Sequence, residues 1–128
     1  MTTTTLHATG PLPPAEVWAR YQVLDRWSEW APQITGVDCA ERVLTAGARG
    51  WVRAPLGVRL PFTIEAVDPQ ARTWSWSVAA GPVRLHLDHW VSEGPGGGTT
   101  TGLRTSGPAP VVLAYAPLEH WAIRRLVT

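Results

Sequence analysis

The chain has no lysine; all eleven of its basic residues are arginine. We read that as the mark of a GC-rich genome, without chemical consequence. Cys39 is the single cysteine, which excludes a disulfide framework and a thiolate metal cluster. Charged residues make up 16% and the net charge is +1, so nothing points to nucleic acid as a partner. No apolar run approaches the ~20 residues a bilayer-spanning helix needs, and no membrane partner is expected. The opening MTTTTLHATG lacks the basic and apolar segments of a secretory signal. A single cytoplasmic domain covering residues 1–128 is therefore expected. His86 and His89 are three apart, on opposite faces of a strand, and cannot converge on one ion, so no metal is expected. The GPGGG stretch at 94–98 has neither a following lysine nor a helix start, so it reads as a hairpin rather than a phosphate loop. No cofactor is expected.

Phenylalanine is also scarce, with one residue, and tyrosine has two, yet there are eight tryptophans. Each indole can bury roughly 150–250 Å². Trp27 and Trp30 sit three apart, Trp74 and Trp76 alternate, and Trp18, Trp51, Trp90 and Trp121 are dispersed. Composition alone is compatible with an aromatic-lined cavity and with a core that happens to use indole.

The period of the apolar pattern changes along the chain. Thr3–Ala8 reads as a strand with Leu6 and Ala8 on one face. Pro14 can open a helix whose stripe is Val17, Trp18 and Tyr21. Asp25 is placed to cap a second short helix carrying Trp27 and Trp30. From Ile34 the period is two, giving strands at Ile34–Leu44, Arg49–Ala54, Val58–Val67, Arg72–Ala79, Val83–Glu93 and Thr99–Ser106. Val111–Val127 reads as a helix with Tyr115, Leu118, Ala122 and Arg125 on one side. Pro117 inside it must kink the helix or start another. Strands in sequence without alternating helices predict an α+β fold with an antiparallel sheet.

This order resembles the helix-grip fold of the START/Bet v 1-like superfamily, and within it the polyketide cyclase/dehydrase family. The matching stretches are VWARYQVLDRWSEWAP, the Ala-Gly-Ala-Arg-Gly at 46–50, LPFTIEAVDP, the Trp-rich 72–78, HWV at 89–91 and GGT at 97–99, within Leu6–Leu126. The resemblance implies a curved antiparallel sheet of about seven strands around a C-terminal helix, two short helices after strand 1, and a ligand cavity. It does not imply one reaction, since cyclases, carriers and receptors share the fold. Aromatase/cyclases of the fold resemble one another in an inward arginine on the strand matching 58–67 and a tyrosine shortly after the second helix. Here Phe62, Ile64 and Ala66 are the inward candidates, and Ile34 stands near the expected tyrosine. The departure argues against that machinery.

Facing decides which residues meet the cavity. A two-residue turn at Gly81-Pro82 pairs Trp76 with Leu87 and Trp74 with His89. A three-residue turn pairs Trp76 with His86 and Trp74 with Asp88, reversing the whole strand. Gly-Pro matches the favoured hairpin turns poorly, so both stay open. In the first register His89 is the one titratable group on an apolar face and the catalytic candidate, kept neutral by burial for proton transfer. It is equally readable as a core histidine bonded to backbone or threonine. In the second, His86 and Asp88 would form an oriented pair. Tyr21, Trp27, Trp30, Phe62, Ile64, Trp74, Trp76, Leu87, Leu103 and Tyr115 are the expected ligand contacts. Thr101 and Thr105 could add hydroxyls, and Arg53, if inward, could hold an anion.

The expected function is a cofactor-independent cyclase or dehydratase for a hydrophobic polyketide-like intermediate of natural-product biosynthesis. The alternative is a non-catalytic binding or carrier protein for a hydrophobic small molecule. A third reading is a homodimer formed through an exposed Trp90 and the Trp121 helix.

Overall fold

The structure is a computed structural model describing residues 1–128. Its elements in order are β1 (Thr2–Gly10), α1 (Pro14–Gln22), α2 (Trp27–Trp30), β2 (Gly36–Cys39), β3 (Arg49–Arg53), β4 (Arg59–Asp68), β5 (Thr73–Ala80), β6 (Val83–Glu93), β7 (Thr99–Gly107) and α3 (Ala109–Leu126). All seven strands form one antiparallel sheet in the order β1-β7-β6-β5-β4-β3-β2. The first strand thus pairs with the last, and the two short helices carry the chain to the opposite edge. α3 returns across the inner face.

The β5–β6 turn resolves the facing. Trp76 pairs with Leu87 and Trp74 with His89, as a two-residue Gly81-Pro82 turn requires. Gly81 has φ +59°. The Pro82 ring confines its own φ near −65°. A positive first angle and a negative second are those of the II′ turn, one of the two hairpin turns that suit strand twist.

Several expectations are corrected. β4 carries a bulge between Ile64 and Ala66. Leu60, Phe62 and Ile64 face inward before it, but beyond it Val67 takes the inner face opposite Trp74, and Ala66 is exposed. One extra residue reverses the alternation. The strand expected over Ile34–Leu44 stays in the sheet only at Gly36–Cys39; Val43 instead bridges Val23, and Leu44 N donates to Gln22 O. Asp25 does not cap a helix; it pairs with Arg42. α3 runs unbroken through Pro117, which lies on its exposed face. Its buried positions are Val112, Glu119, Ala122, Ile123 and Leu126, with Arg125 exposed, so the stripe is rotated from the expected one. Trp90 is half-buried on the outer face, where it lies across Gly102; any side chain there would collide with the indole. Trp121 is 53% exposed on α3, on the other side of the sheet from Trp90.

The three helices are joined through one another's carbonyl ends. Helix C-termini leave unpaired carbonyls that need donors. Trp27 Nε1–H donates to Tyr21 O at 2.8 Å and Trp30 Nε1–H to Arg20 O at 3.2 Å, so both α2 indoles cap α1. Arg20 donates to Arg125 O and Leu126 O at the end of α3. Arg125 donates to Glu29 O and Trp30 O at the end of α2. The C-terminal half of α3 is thereby clamped, with Ile123 and Leu126 at most 1% exposed.

Candidate functional site

The N-terminal half of α3 is not clamped in this way. Between it and the inner face of β3–β6 lies a cavity of about 540 Å³. Twelve of its fourteen lining residues are hydrophobic, among them Ile34, Val52, Leu60, Trp76, Val78, Leu85, Leu87, Val111 and Ala114. The volume is in the ordinary range for small-molecule sites. The two polar linings are Gln33 and Tyr115, and Gln33 Nε2–H donates to Tyr115 Oη at 2.9 Å. Burial pushes the Tyr115 phenol up to about 12, so it is a neutral donor at any ordinary pH. A second groove, of about 710 Å³, lies outside the sheet among charged residues including Arg49, Glu65 and Arg84. Only five of its thirteen lining residues are hydrophobic, so it is a poorer ligand site.

Of the residues expected to touch ligand, Trp76, Leu87 and Tyr115 line the cavity. Tyr21, Trp27, Trp30, Phe62, Ile64, Trp74 and Leu103 do not; they lie in the solid core beside it. That core is an aromatic stack: Trp27 stacks on Trp74 at 5.4 Å, and Phe62 meets Trp76 edge-on at 5.6 Å. Four of the eight indoles, Trp18, Trp27, Trp30 and Trp74, fill the core, and one, Trp76, lines the cavity.

His89 is buried at the centre of this core, its ring parallel to Trp74 at 4.4 Å. Trp76 Nε1–H donates to His89 Nε2 at 3.0 Å. That bond makes Nε2 the acceptor, so the proton sits on Nδ1, 3.1 Å from Tyr21 Oη. Tyr21 is then oriented toward Thr101 Oγ1 at 3.5 Å, and Thr101 donates to Trp90 O at 2.8 Å. Burial holds the imidazole neutral, down at about 3, and pushes the Tyr21 phenol far up. Both imidazole nitrogens are committed, and the ring is not on the cavity wall.

The other candidates lie elsewhere. His86 and Asp88 do pair, at 3.1 Å, but on the outer face, where His86 Nδ1 also meets Glu65 at 2.7 Å. Arg53 pairs with Asp38 at 3.3 Å and is exposed. Thr105 is buried and donates to Glu119 Oε2 at 2.6 Å.

Gln33 and Glu119 were not expected. Glu119 is 2% exposed, and burial raises its carboxyl to about 7 despite the Thr105 bond. Its position was encoded: 112, 115, 119, 122 and 126 are spaced as one helical stripe. The charge at 119 masked it. Gln33 directly precedes Ile34, and it brings a polar group to the wall that Ile34 also lines. No periodic signal marks a loop amide.

A sheet wrapped on a C-terminal helix, with two short helices at one end and an apolar hollow between, defines a helix-grip protein of the START/Bet v 1-like class. The chain belongs to the polyketide cyclase / dehydrase and lipid transport family, which matches residues 1–126. Solved structures share the fold. XoxI from Bacillus cereus is 17% identical with a TM-score of 0.79, covering 99% of this chain and 94% of its own. MLL2253 from Mesorhizobium loti is 18% identical with a TM-score of 0.82, covering 98% and 93%. Ara h 8.0201 is 16% identical with a TM-score of 0.76, covering 98% and 94%. No curated protein matches the sequence significantly. No helix is long and apolar enough to cross a membrane.

Proposed function

We propose that the protein binds a mostly apolar, polyketide-like small molecule in the cavity under α3 and shields it from water. The carrying observation is the cavity itself: about 540 Å³, with apolar walls and a single polar corner. On this reading His89 serves the core, because its two nitrogens are spent on Trp76 and Tyr21. Ala114 lines the cavity from the open side of α3. Ala114→Trp is expected to fill the space and weaken binding of the neutral fluorescent probe N-phenyl-1-naphthylamine by tenfold or more. Its helix-propensity cost is only about 0.5 kcal/mol, so the melting temperature should change little. Unchanged probe affinity in a folded variant would place the ligand elsewhere.

A second reading, ring closure or dehydration, is favoured by the apolar walls alone: Glu119, one helical turn from Tyr115, is 2% exposed and does not line the cavity. Rigid apolar walls would fold a flexible chain and bring its reacting carbons together. Linear polyketide precursors incubated with the protein should then give cyclic or dehydrated products faster than in buffer. Identical product profiles in both would leave binding as the function.

A further inference from the structure

The cavity's polar corner is incompletely bonded. Gln33 Nε2–H donates to Tyr115 Oη. Gln33 Oε1, on the same carboxamide, is out of contact with water and has no partner. The phenol's own hydrogen is also free, since the bond it shares with Gln33 is one it accepts. One donor and one acceptor therefore stand side by side at an otherwise hydrophobic wall, the acceptor just beneath its surface, where a small turn of the Gln33 carboxamide would present it to the cavity. A buried polar atom without a partner costs stability, and a ligand that supplies the partner recovers it. No other side chain of the wall can do so.

The chemistry of the gap is specific. A hydrocarbon leaves both groups unpaired. A ketone accepts from Tyr115 but leaves Gln33 Oε1 unpaired. A carboxylate also only accepts, and it would bring a charge to a wall without a cation, one turn from Glu119. A hydroxyl donates and accepts through one atom. It closes a three-membered ring of hydrogen bonds: Gln33 N–H to Tyr115 Oη, Tyr115 O–H to the ligand oxygen, and ligand O–H to Gln33 Oε1. Rotating the Gln33 carboxamide by half a turn exchanges donor for acceptor, and a hydroxyl fits that arrangement too. Resting on the reading of this cavity as the ligand site, we propose that its occupant is an apolar alcohol, enol or phenol held by Gln33 and Tyr115. Skeletons that present a hydroxyl, whether reduced, aromatised or enolised, are thus preferred to hydrocarbons, isolated ketones and fatty acids.

Naphthalene, 1-naphthol and 1-naphthoate test this by calorimetric titration of the whole chain. They share one ring system and differ in the group offered to the corner. In the wild type, 1-naphthol should bind roughly tenfold or more tighter than naphthalene, and 1-naphthoate should be weakest. Gln33→Met keeps the length of the side chain and removes the amide. It should reduce the naphthol preference to within about threefold while naphthalene binds at least as well. Tyr115→Phe should do the same, and serves if the first variant does not fold. Equal wild-type affinities for naphthol and naphthalene would overturn the hydroxyl assignment and leave the cavity reading intact. So would a preference that survives in folded Gln33→Met. Failure of all three probes to bind would overturn both.

Discussion

Replacing Trp27 by alanine is expected to cost about 4–5 kcal/mol and to lower the melting temperature by roughly 15 °C. The indole is 1% exposed and is the hub of the aromatic core, with ring centroids 5.4 Å from Trp74, 5.1 Å from Trp76 and 6.0 Å from Phe62. Its removal opens a void that neighbouring rigid rings cannot close. It also strips the cap from Tyr21 O, leaving a buried carbonyl at the end of α1. Trp27→Phe separates the two effects. It retains much of the packing and loses the donor, so an intermediate cost of about 2 kcal/mol is expected. Urea and thermal melts measure both. A cost below about 1 kcal/mol for alanine would mean that the stack does not hold the fold.

At pH 8, Glu119→Gln is expected to be more stable than the wild type, by about 3 kcal/mol. The Glu119 carboxyl is raised from 4.5 to about 7 in the folded protein. Between those values the folded state holds a proton that the unfolded state has released, so stability falls as pH rises through the window. Below pH 4.5 both states are protonated and nothing is lost. Glutamine is the isostere of the protonated acid. It keeps the acceptor for Thr105 and leaves the same second atom unpartnered, so the two proteins should converge near pH 4.5 and separate above it. His89 works in the opposite direction. Lowered from 6.5 to about 3, it gives stability that is complete above pH 6.5 and is lost as pH falls toward 3. The two slopes oppose one another between about pH 4.5 and 6.5, which predicts a flat stretch in the wild type. In Glu119→Gln that stretch should become a rise of about 1.4 kcal/mol per pH unit. Chemical denaturation from pH 4 to 9 reads this directly. Parallel wild-type and variant curves would show that the carboxyl is not held in an apolar setting.

Much of the architecture was legible because strand alternation and hairpin turns are local. Phe62, Ile64, Trp74, Trp76, Leu87 and Leu103 follow a period of two, and that alone places them on one face. The pairing of Trp74 with His89 then depends on one turn, whose two possible lengths give opposite faces. Gly81-Pro82 is compatible with the shorter because glycine takes the positive φ and proline the negative. The bulge after Ile64 was not legible. Nothing in Glu65-Ala66-Val67 marks where the extra residue is absorbed, and the alternation simply resumes out of phase.

Three of the ten expected contacts belong to the cavity wall. Trp76, Leu87 and Tyr115 reach the cavity, whereas Tyr21, Trp27, Trp30 and Trp74 share their polarity and face but meet protein instead. Sequence determined the order of the elements, the inward faces of most strands and the aromatic wealth of the interior, since each depends on a residue and its near neighbours. Tertiary structure alone decided where that interior is solid and where it is hollow. α3 is pinned at its C-terminal end by Arg20 and by Gly10, whose lack of a side chain lets Val127 close in, and it stands off the sheet at its N-terminal end. Empty space is set by how two distant surfaces meet, and no local pattern of residues encodes it.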